Sequence, residues 1–275
     1  MSSLLIKMFY DGRSFHGSQR QPDVRTVEGE IIKTLSDEGI AVERIVFSGR
    51  TDKGVHALSQ IALLEAFASN EKVLEALTKL PKDILVWAIR FNLPFEYNPR
   101  YNVVYRRYVY VEEGYENLDL IRLNNIAKMF IGKHMFNCFS SYYEKIPPYI
   151  SPYRTVFSFK IYRAGKYIIY DIVADSFIKQ MVRRIVSTMR LFEENIISEA
   201  DIKNMLKGKC LRSLRIKPAK PESLILFDIE TPLTFKVLEE KLREVFNYCC
   251  KAENIALNFI CSQVKVVGDK PKIKV

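Results

Sequence analysis

The sequence predicts an α+β protein built from two βαββαβ halves of split βαβ type, each with an antiparallel sheet. Three observations point there. A strand–helix–strand–strand–helix–strand order can be read along residues 1–100. The same order returns, with longer insertions, in residues 101–275. The length, 275 residues, is that of about two domains at the usual ~100–200 residues each. Two such sheets side by side leave a cleft between them.

In the first half, Leu4 to Tyr10 reads as a short apolar strand ending at the turn signal Asp11-Gly12. Thr26 is placed to cap a helix whose apolar positions Val27, Ile31 and Leu35 recur every four residues, with Glu28 and Glu30 in its first turn. Glu43 to Ser48 and Ser59 to Phe67 read as strands, Glu71 to Leu80 as a helix stopped by Pro81, and Ile84 to Phe91 as a strand. Asn98-Pro99 interrupts the pattern and sets the boundary between the halves.

In the second half, Val104 to Glu112 is a strand and Leu118 to Ile131 a helix stopped by Gly132. Tyr143 to Tyr153, with three prolines and several tyrosines, reads as a loop. Thr155 to Tyr162 and Lys166 to Val173 form a hairpin around Ala164-Gly165. Helices follow at Phe177 to Phe192 and at Ser198 to Lys207, where Ser198 and Asp201 resemble a capping box. Leu224 to Asp228 is the closing strand. Beyond Thr231, Phe235 to Tyr248 looks helical, and Asp269 to Lys274 is a polar, basic and loosely held tail.

Composition excludes several classes. Hydrophobic residues at 48% and charged residues at 27% are those of a globular chain. The net charge of +10 favours polyanionic partners, with nucleic acid and anionic membrane as the candidates. No apolar run approaches the ~20 residues of a membrane-spanning helix, and the start, Met1 to Lys7, is not a signal peptide. The five cysteines, Cys138, Cys210, Cys249, Cys250 and Cys261, are odd in number and irregular in spacing, as in a reduced cytoplasmic protein without disulfides or zinc. His16, His56 and His134 form no metal-binding pair.

Three segments carry chemistry. Phe47-Ser48-Gly49-Arg50-Thr51-Asp52-Lys53-Gly54-Val55-His56-Ala57 puts one carboxylate on a glycine-bracketed loop between Arg50 and Lys53. Adjacent cations favour the ionised carboxylate, which suits a nucleophile or a stabiliser of positive charge at a sugar carbon. The plain alternative is a turn with a surface ion pair. Tyr105-Arg106-Arg107-Tyr108-Val109-Tyr110 places Arg106, Tyr108 and Tyr110 on one strand face and Arg107 on the other. Such a face stacks bases and pairs phosphates, or is half core. On a helix wheel, Ile178, Val182, Ile185 and Met189 form an apolar stripe flanked by Lys179, Arg183 and Arg190, with Arg184 elsewhere. Those cations are either solvated or, for Arg183, aimed at an anion, Asp52 or a phosphate. A further run, Lys207, Lys209, Arg212, Arg215, Lys217 and Lys220, suits sequence-independent phosphate contacts or a solvated loop.

Gly49 to Ala57 with Gln60 resembles the signature of the tRNA pseudouridine synthase A family. Other segments resemble that family in the same order: Tyr10-Asp11-Gly12, Gly17-Ser18-Gln19-Arg20-Gln21, Thr26 to Gly29, Pro99-Arg100-Tyr101, Arg106 to Tyr110, Gly132 to Phe136 with Phe139 and Ser140, Phe177 with Met181-Val182-Arg183, and Pro218 to Leu226. Ser18 stands where many members have Trp, and Gln180 where His is common. The resemblance implies two ferredoxin-like halves flanking a central RNA-binding cleft, a cytoplasmic homodimer, tRNA as partner and no cofactor or metal. It implies uridine-to-pseudouridine isomerisation in the anticodon arm, at tRNA positions 38 to 40. It makes Asp52, Tyr108 and Arg183 the catalytic residues, with Arg50, Thr51, Lys53, His56, Gln60, Arg106 and Lys179 binding substrate. The alternative is a non-catalytic RNA-binding module, which accounts for the charge and the Arg-Tyr strand but not for Asp52 among glycines and cations. An accidental motif in a small-molecule enzyme is the third reading.

Overall fold

A computed structural model describes residues 1–114, 118–142, 145–211, 213–267 and 270–273, with the backbone alone from 264 onward. Tyr143, Arg212, Asp269 and Lys274 of the segments above lie outside the described residues. By its internal contacts the chain divides into two units, Met1–Val104 with Ile225–Val275, and Tyr105–Leu224.

The first unit opens with β1 (Ser2–Tyr10), a mostly buried strand. In α1 (Val27–Asp37), the Thr26 side chain accepts the Gly29 N–H and Val27, Ile31 and Leu35 are buried, as the fourfold spacing requires. Next come β2 (Val42–Phe47) and β3 (His56–Ala66). Then α2 (Asn70–Leu77) leads to β4 (Ile84–Arg90). The strands lie in the order β4–β1–β3–β2, every pair antiparallel. Helix α2 closes before Leu80 because the Thr78 hydroxyl and N–H both turn back onto the Glu75 carbonyl. Strand β3 begins at His56, three residues before the expected Ser59, because Ala57 has a partner in Tyr10. That pairing is tertiary and leaves no mark on local propensity.

The second unit has β5 (Tyr105–Glu113) and α3 (Leu120–Met129), the latter capped by Asp119. Strands β6 (Gly132–Met135), β7 (Tyr153–Ala164) and β8 (Tyr167–Ala174) follow. The β7–β8 turn passes through Gly165 at φ +59°. The strand order is β6–β7–β8–β5, again antiparallel. The four-residue β6 is an addition to the expected pattern. Helix α4 (Met181–Glu193) starts four residues later than expected, because Gln180 is left-handed at φ 64°. Ile178 is therefore buried in a turn, not on a helix face, and Lys179 stands exposed before the helix. In α5 (Glu199–Leu206) Ser198 and Asp201 exchange both bonds of a capping box.

The chain then returns to the first unit. In β9 (Leu224–Glu230), Ile225 and Leu226 pair in parallel with His56 and Ala57 of β3. The extension beyond Thr231 forms β10 (Lys236–Val237) against β4, then α6 (Glu239–Lys251) and α7 (Ile255–Gln263). Helix α7 was not expected; its apolar positions Ala256, Leu257, Phe259 and Ile260 are all buried. Within the tail Asp269 to Lys274, β12 (Lys270–Ile273) pairs with the preceding β11 (Val264–Val267).

The expected reduced set of cysteines is corrected. Cys138 is bonded to Cys210 and Cys250 to Cys261, with Cα atoms 5.1 Å apart in each pair. Cys249 is a buried thiol. Separations of 72 and 11 residues match no spacing signature, so only the fold brings these sulfurs together. Among the described residues no helix is long and apolar enough to cross a membrane. No cluster of three His, Cys, Asp or Glu side chains suited to a metal occurs among them either.

Replacing Thr26 with Ala removes the acceptor for the Gly29 N–H. The expected cost is about 1 kcal/mol, read as a lower urea midpoint at unchanged m-value.

Candidate active site

The loop between β2 and β3 is built from its surroundings inward. Gly49 and Gly54 bracket Arg50, Thr51, Asp52 and Lys53, and Gly54 adopts φ +83°, a conformation that disfavours other residues. Beneath the loop lies Tyr10, fully buried at the end of β1. Its hydroxyl accepts from Gln60 Nε2 at 3.3 Å and is hydrogen-bonded to Thr51 Oγ1 at 2.8 Å. Burial pushes the Tyr10 phenol up to about 12, against the hydrogen bonds with Thr51, Gln60 and Ser18, so it stays neutral near pH 7. Gln60 also donates to the Gly49 carbonyl at 2.8 Å and accepts from Ser48 at 3.2 Å.

A second segment grips the loop from the side. Ser18 is fully buried; its Oγ accepts the Thr51 N–H at 3.1 Å and its own N–H donates to the Thr51 carbonyl at 3.3 Å. The Gly54 N–H donates to Phe15 O at 3.3 Å. Gly17, at φ +97°, lies so close that a Cβ there would sit 2.7 Å from Thr51 O. Serine in place of the family's common Trp thus serves as a small two-way clamp on the loop backbone. Asp52 stands half-buried at the top, between exposed Arg50 and exposed Lys53. Lys53 Nζ lies 3.0 Å from His16 Nε2.

Behind the loop sits a buried carboxylate. Asp11 is 3% exposed and is met by donors from three segments. Arg13 makes a bidentate contact, closest at 2.6 Å, and adds its backbone N–H. His56 Nδ1 lies 3.3 Å from Asp11 Oδ1. The Tyr248 hydroxyl donates to Oδ2 at 2.9 Å. The Gly12 N–H also points at His56 Nδ1, at 3.2 Å, but one ring nitrogen serves only one of these contacts. Beside a buried carboxylate the protonated nitrogen is favoured, so Nδ1–H donates to Asp11. Burial alone would raise Asp11, but bonds from His56 and Arg13 outweigh it and hold the carboxyl well below the usual range.

The second unit supplies the other expected residues. Tyr108 on β5 is buried to 7% exposure with its ring edge-on to Phe177 at 5.0 Å. Arg106, two residues earlier on the same face, donates to the Asp175 carbonyl at 2.7 Å. Burial lowers the Arg106 guanidinium from its ordinary value, against the fields of Tyr108 and Asp175. Arg107, on the opposite face, makes a bidentate pair with Asp171 at 2.9 and 2.8 Å. Arg183 and Arg184 are not a solvated flank of α4: both are buried. Arg183 Nε donates to Ala219 O at 2.6 Å, and the Ala219 N–H donates back to Arg183 O at 3.1 Å. Arg184 binds Gln180 Oε1 and the Ile216 carbonyl.

Of the expected residues of the first unit, Arg50 and Lys53 reach solvent beside Asp52, while Thr51, His56 and Gln60 lie beneath the loop as its support. In the sequence Tyr10 and Asp11 read as a strand end and a turn signal and, with Ser18, belong to the family resemblance, which assigns them no role; the Ala219 carbonyl has no local signal at all. Tyr248 was noted merely as the end of an amphipathic stretch.

Asp11 links stability to pH. Its carboxyl is lower in the folded state than in the unfolded one, so its stabilisation is complete above about pH 4 and is lost as pH falls through the folded value. Urea titrations from pH 7 to pH 2.5 are expected to show a stability loss below about pH 4. Asp11→Asn is expected to be less stable at pH 7 and to lose less over that interval.

Comparison with known proteins places the chain in a family. A family model described as tRNA pseudouridine synthase matches residues 126–232. The tRNA pseudouridine synthase A of Pyrococcus abyssi is 35% identical over 249 residues, 87% of this chain and 90% of the relative. That of Pyrococcus furiosus is 34% identical over 82% of each chain. That of Methanocella arvoryzae is 37% identical over 80% of this chain and 81% of the relative. With similarity of this extent in both directions, the chain belongs to the tRNA pseudouridine synthase A family and isomerises uridine to pseudouridine in tRNA.

Proposed function

We propose that the target uridines lie in the anticodon arm, at tRNA positions 38 to 40, and that Asp52, Tyr108 and Arg183 carry the reaction. The observation that supports this most is the setting of Asp52. It is half-buried on a loop clamped by Tyr10, Ser18 and Gln60, with the loop sequence matching the family signature. A carboxylate at the surface of an RNA-binding protein repels phosphate. Holding one so firmly makes sense where it works on the sugar.

The isomerisation breaks the N1–C1′ bond, turns the uracil and joins C5 to C1′; the C5 proton leaves and N1 gains one. No electrons are exchanged, so the chemistry needs no redox carrier. The uridine first leaves its stack. Asp52 then attacks C1′, or takes the 2′ proton so that the base departs as a glycal forms. Tyr108, edge-on to Phe177, offers a ring on which the detached uracil stacks and a hydroxyl near its C5 proton. Arg183, fixed by Ala219 O, presents a planar guanidinium to an anion, a carboxylate or a phosphate. Arg50, Lys53, Arg106 and Lys179 serve the RNA backbone, and Thr51, His56 and Gln60 act by shaping the loop.

In this reading, residues 1–100 contribute the aspartate loop and residues 101–275 the tyrosine and arginine. The halves are ferredoxin-like, a view supported by the β4–β1–β3–β2 order with two helical crossovers in the first. The working form is a cytoplasmic homodimer, as the family resemblance implies.

Tritium release from tRNA transcripts carrying 5-tritiated uridine tests the chemistry, because C5 must lose its hydrogen. Wild type is expected to release tritium and Asp52→Ala none, with tRNA affinity largely kept; full release by the variant removes Asp52 from the mechanism. Transcripts labelled only at positions 38 to 40 test the target. Arg183→Lys is expected to lose at least roughly tenfold in turnover, since lysine cannot copy a planar two-point contact. Near-wild-type turnover would make Arg183 a structural cation.

A further inference from the structure

The extension beyond Thr231 reaches the candidate site through Tyr248. Helix α6 is seated against the first unit by β10, which pairs with β4, and by the Leu238 N–H, which donates to Trp87 O at 2.8 Å. Leu242, Val245 and Cys249 are its buried positions. One residue before Cys249, the Tyr248 ring lies edge-on to Phe9 at 5.4 Å, and its hydroxyl reaches Asp11 Oδ2 at 2.9 Å across a sequence separation of 237 residues.

From Asp11 the chain of contacts runs to the aspartate loop. Asp11 Oδ1 faces His56 Nδ1, and His56 is the first residue of β3, directly after the loop. The next residue, Gly12, lies so close to the loop that a Cβ on it would fall 2.1 Å from Val55 O. The Val55 N–H in turn donates to Asp52 O at 3.2 Å. The backbone bearing Asp52 therefore rests on the Asp11 turn. Asp11 is a buried anion that needs every donor, and Tyr248 is the donor from outside the motif. Burial first, then the adjoining Asp11, raises the Tyr248 phenol, so the hydroxyl keeps its proton and donates.

We propose that Tyr248 is a positioning residue for the isomerisation: through Asp11 and His56 it sets the aspartate loop, so that helix α6 is part of the catalytic apparatus. This rests on the reading of Asp52 as the reacting carboxylate.

The test is steady-state tritium release by wild type, Tyr248→Phe, Asp11→Asn, the double variant and Asp52→Asn, each with its thermal midpoint. Tyr248→Phe keeps the ring on Phe9 and removes only the hydroxyl. It is expected to lower kcat roughly tenfold, with KM for tRNA within about twofold of wild type, and to lower the thermal midpoint by only a few degrees, leaving the protein folded at the assay temperature. In the Asp11→Asn background the same change is expected to add nothing, because both act through one contact. An unchanged kcat in Tyr248→Phe, or an effect that adds fully to that of Asp11→Asn, overturns the proposal. If Asp52→Asn is inactive while Tyr248→Phe is normal, this inference alone fails. If Asp52→Asn is fully active, the reading beneath it fails as well.

Discussion

Asp11 is an ionised carboxylate with almost no access to water, and a buried charge is tolerated only when its lone pairs are all met. Meeting them draws together Arg13 from the turn after β1, His56 from the start of β3 and Tyr248 from α6. These three lie far apart in the chain. Fixing them to one group fixes the end of β1, the exit of the Asp52 loop and the place of α6 at once. Close contact completes the constraint, because Gly12 has no room for a side chain beside Val55.

A second hub, Tyr10, does for the loop interior what Asp11 does for its exit. Its buried hydroxyl ties Thr51 to Gln60, and Gln60 ties back to Gly49. In the proposed mechanism Thr51 and Gln60 therefore serve the reaction at a distance. They hold backbone still, so that a half-buried carboxylate keeps one position while a nucleotide approaches. Pre-set geometry of this kind is where enzymes gain much of their rate. The same logic applies in the second unit. Arg183 and Arg184 bury their charges against backbone carbonyls of the 216–219 segment and thereby lock α4 to it.

Much of the fold was legible because local physics dictates it. The fourfold spacing of Val27, Ile31 and Leu35, the caps at Thr26 and Ser198, and the Gly165 turn each read correctly from neighbouring residues alone. The differences have two causes. The early start of β3 and the Cys138–Cys210 disulfide depend on partners remote in sequence. The late start of α4 turns on the left-handed Gln180, and the β11–β12 pair and Cys250–Cys261 are short-range contacts that no spacing signature marks. The helix wheel sets Arg184 apart from the cationic flank, but it cannot show that the Ile216 carbonyl is its partner.

By itself the sequence determined the α+β class, the loop that carries Asp52 and the family to which the chain belongs. Those follow from residue types at fixed short spacings, which survive in one dimension. Only the tertiary structure decided that Thr51, His56 and Gln60 lie under the loop, that Arg183 is anchored on Ala219 and that α6 reaches Asp11. Each is a contact between segments tens to hundreds of residues apart, and burial and hydrogen-bond satisfaction arise only when the chain has closed on itself.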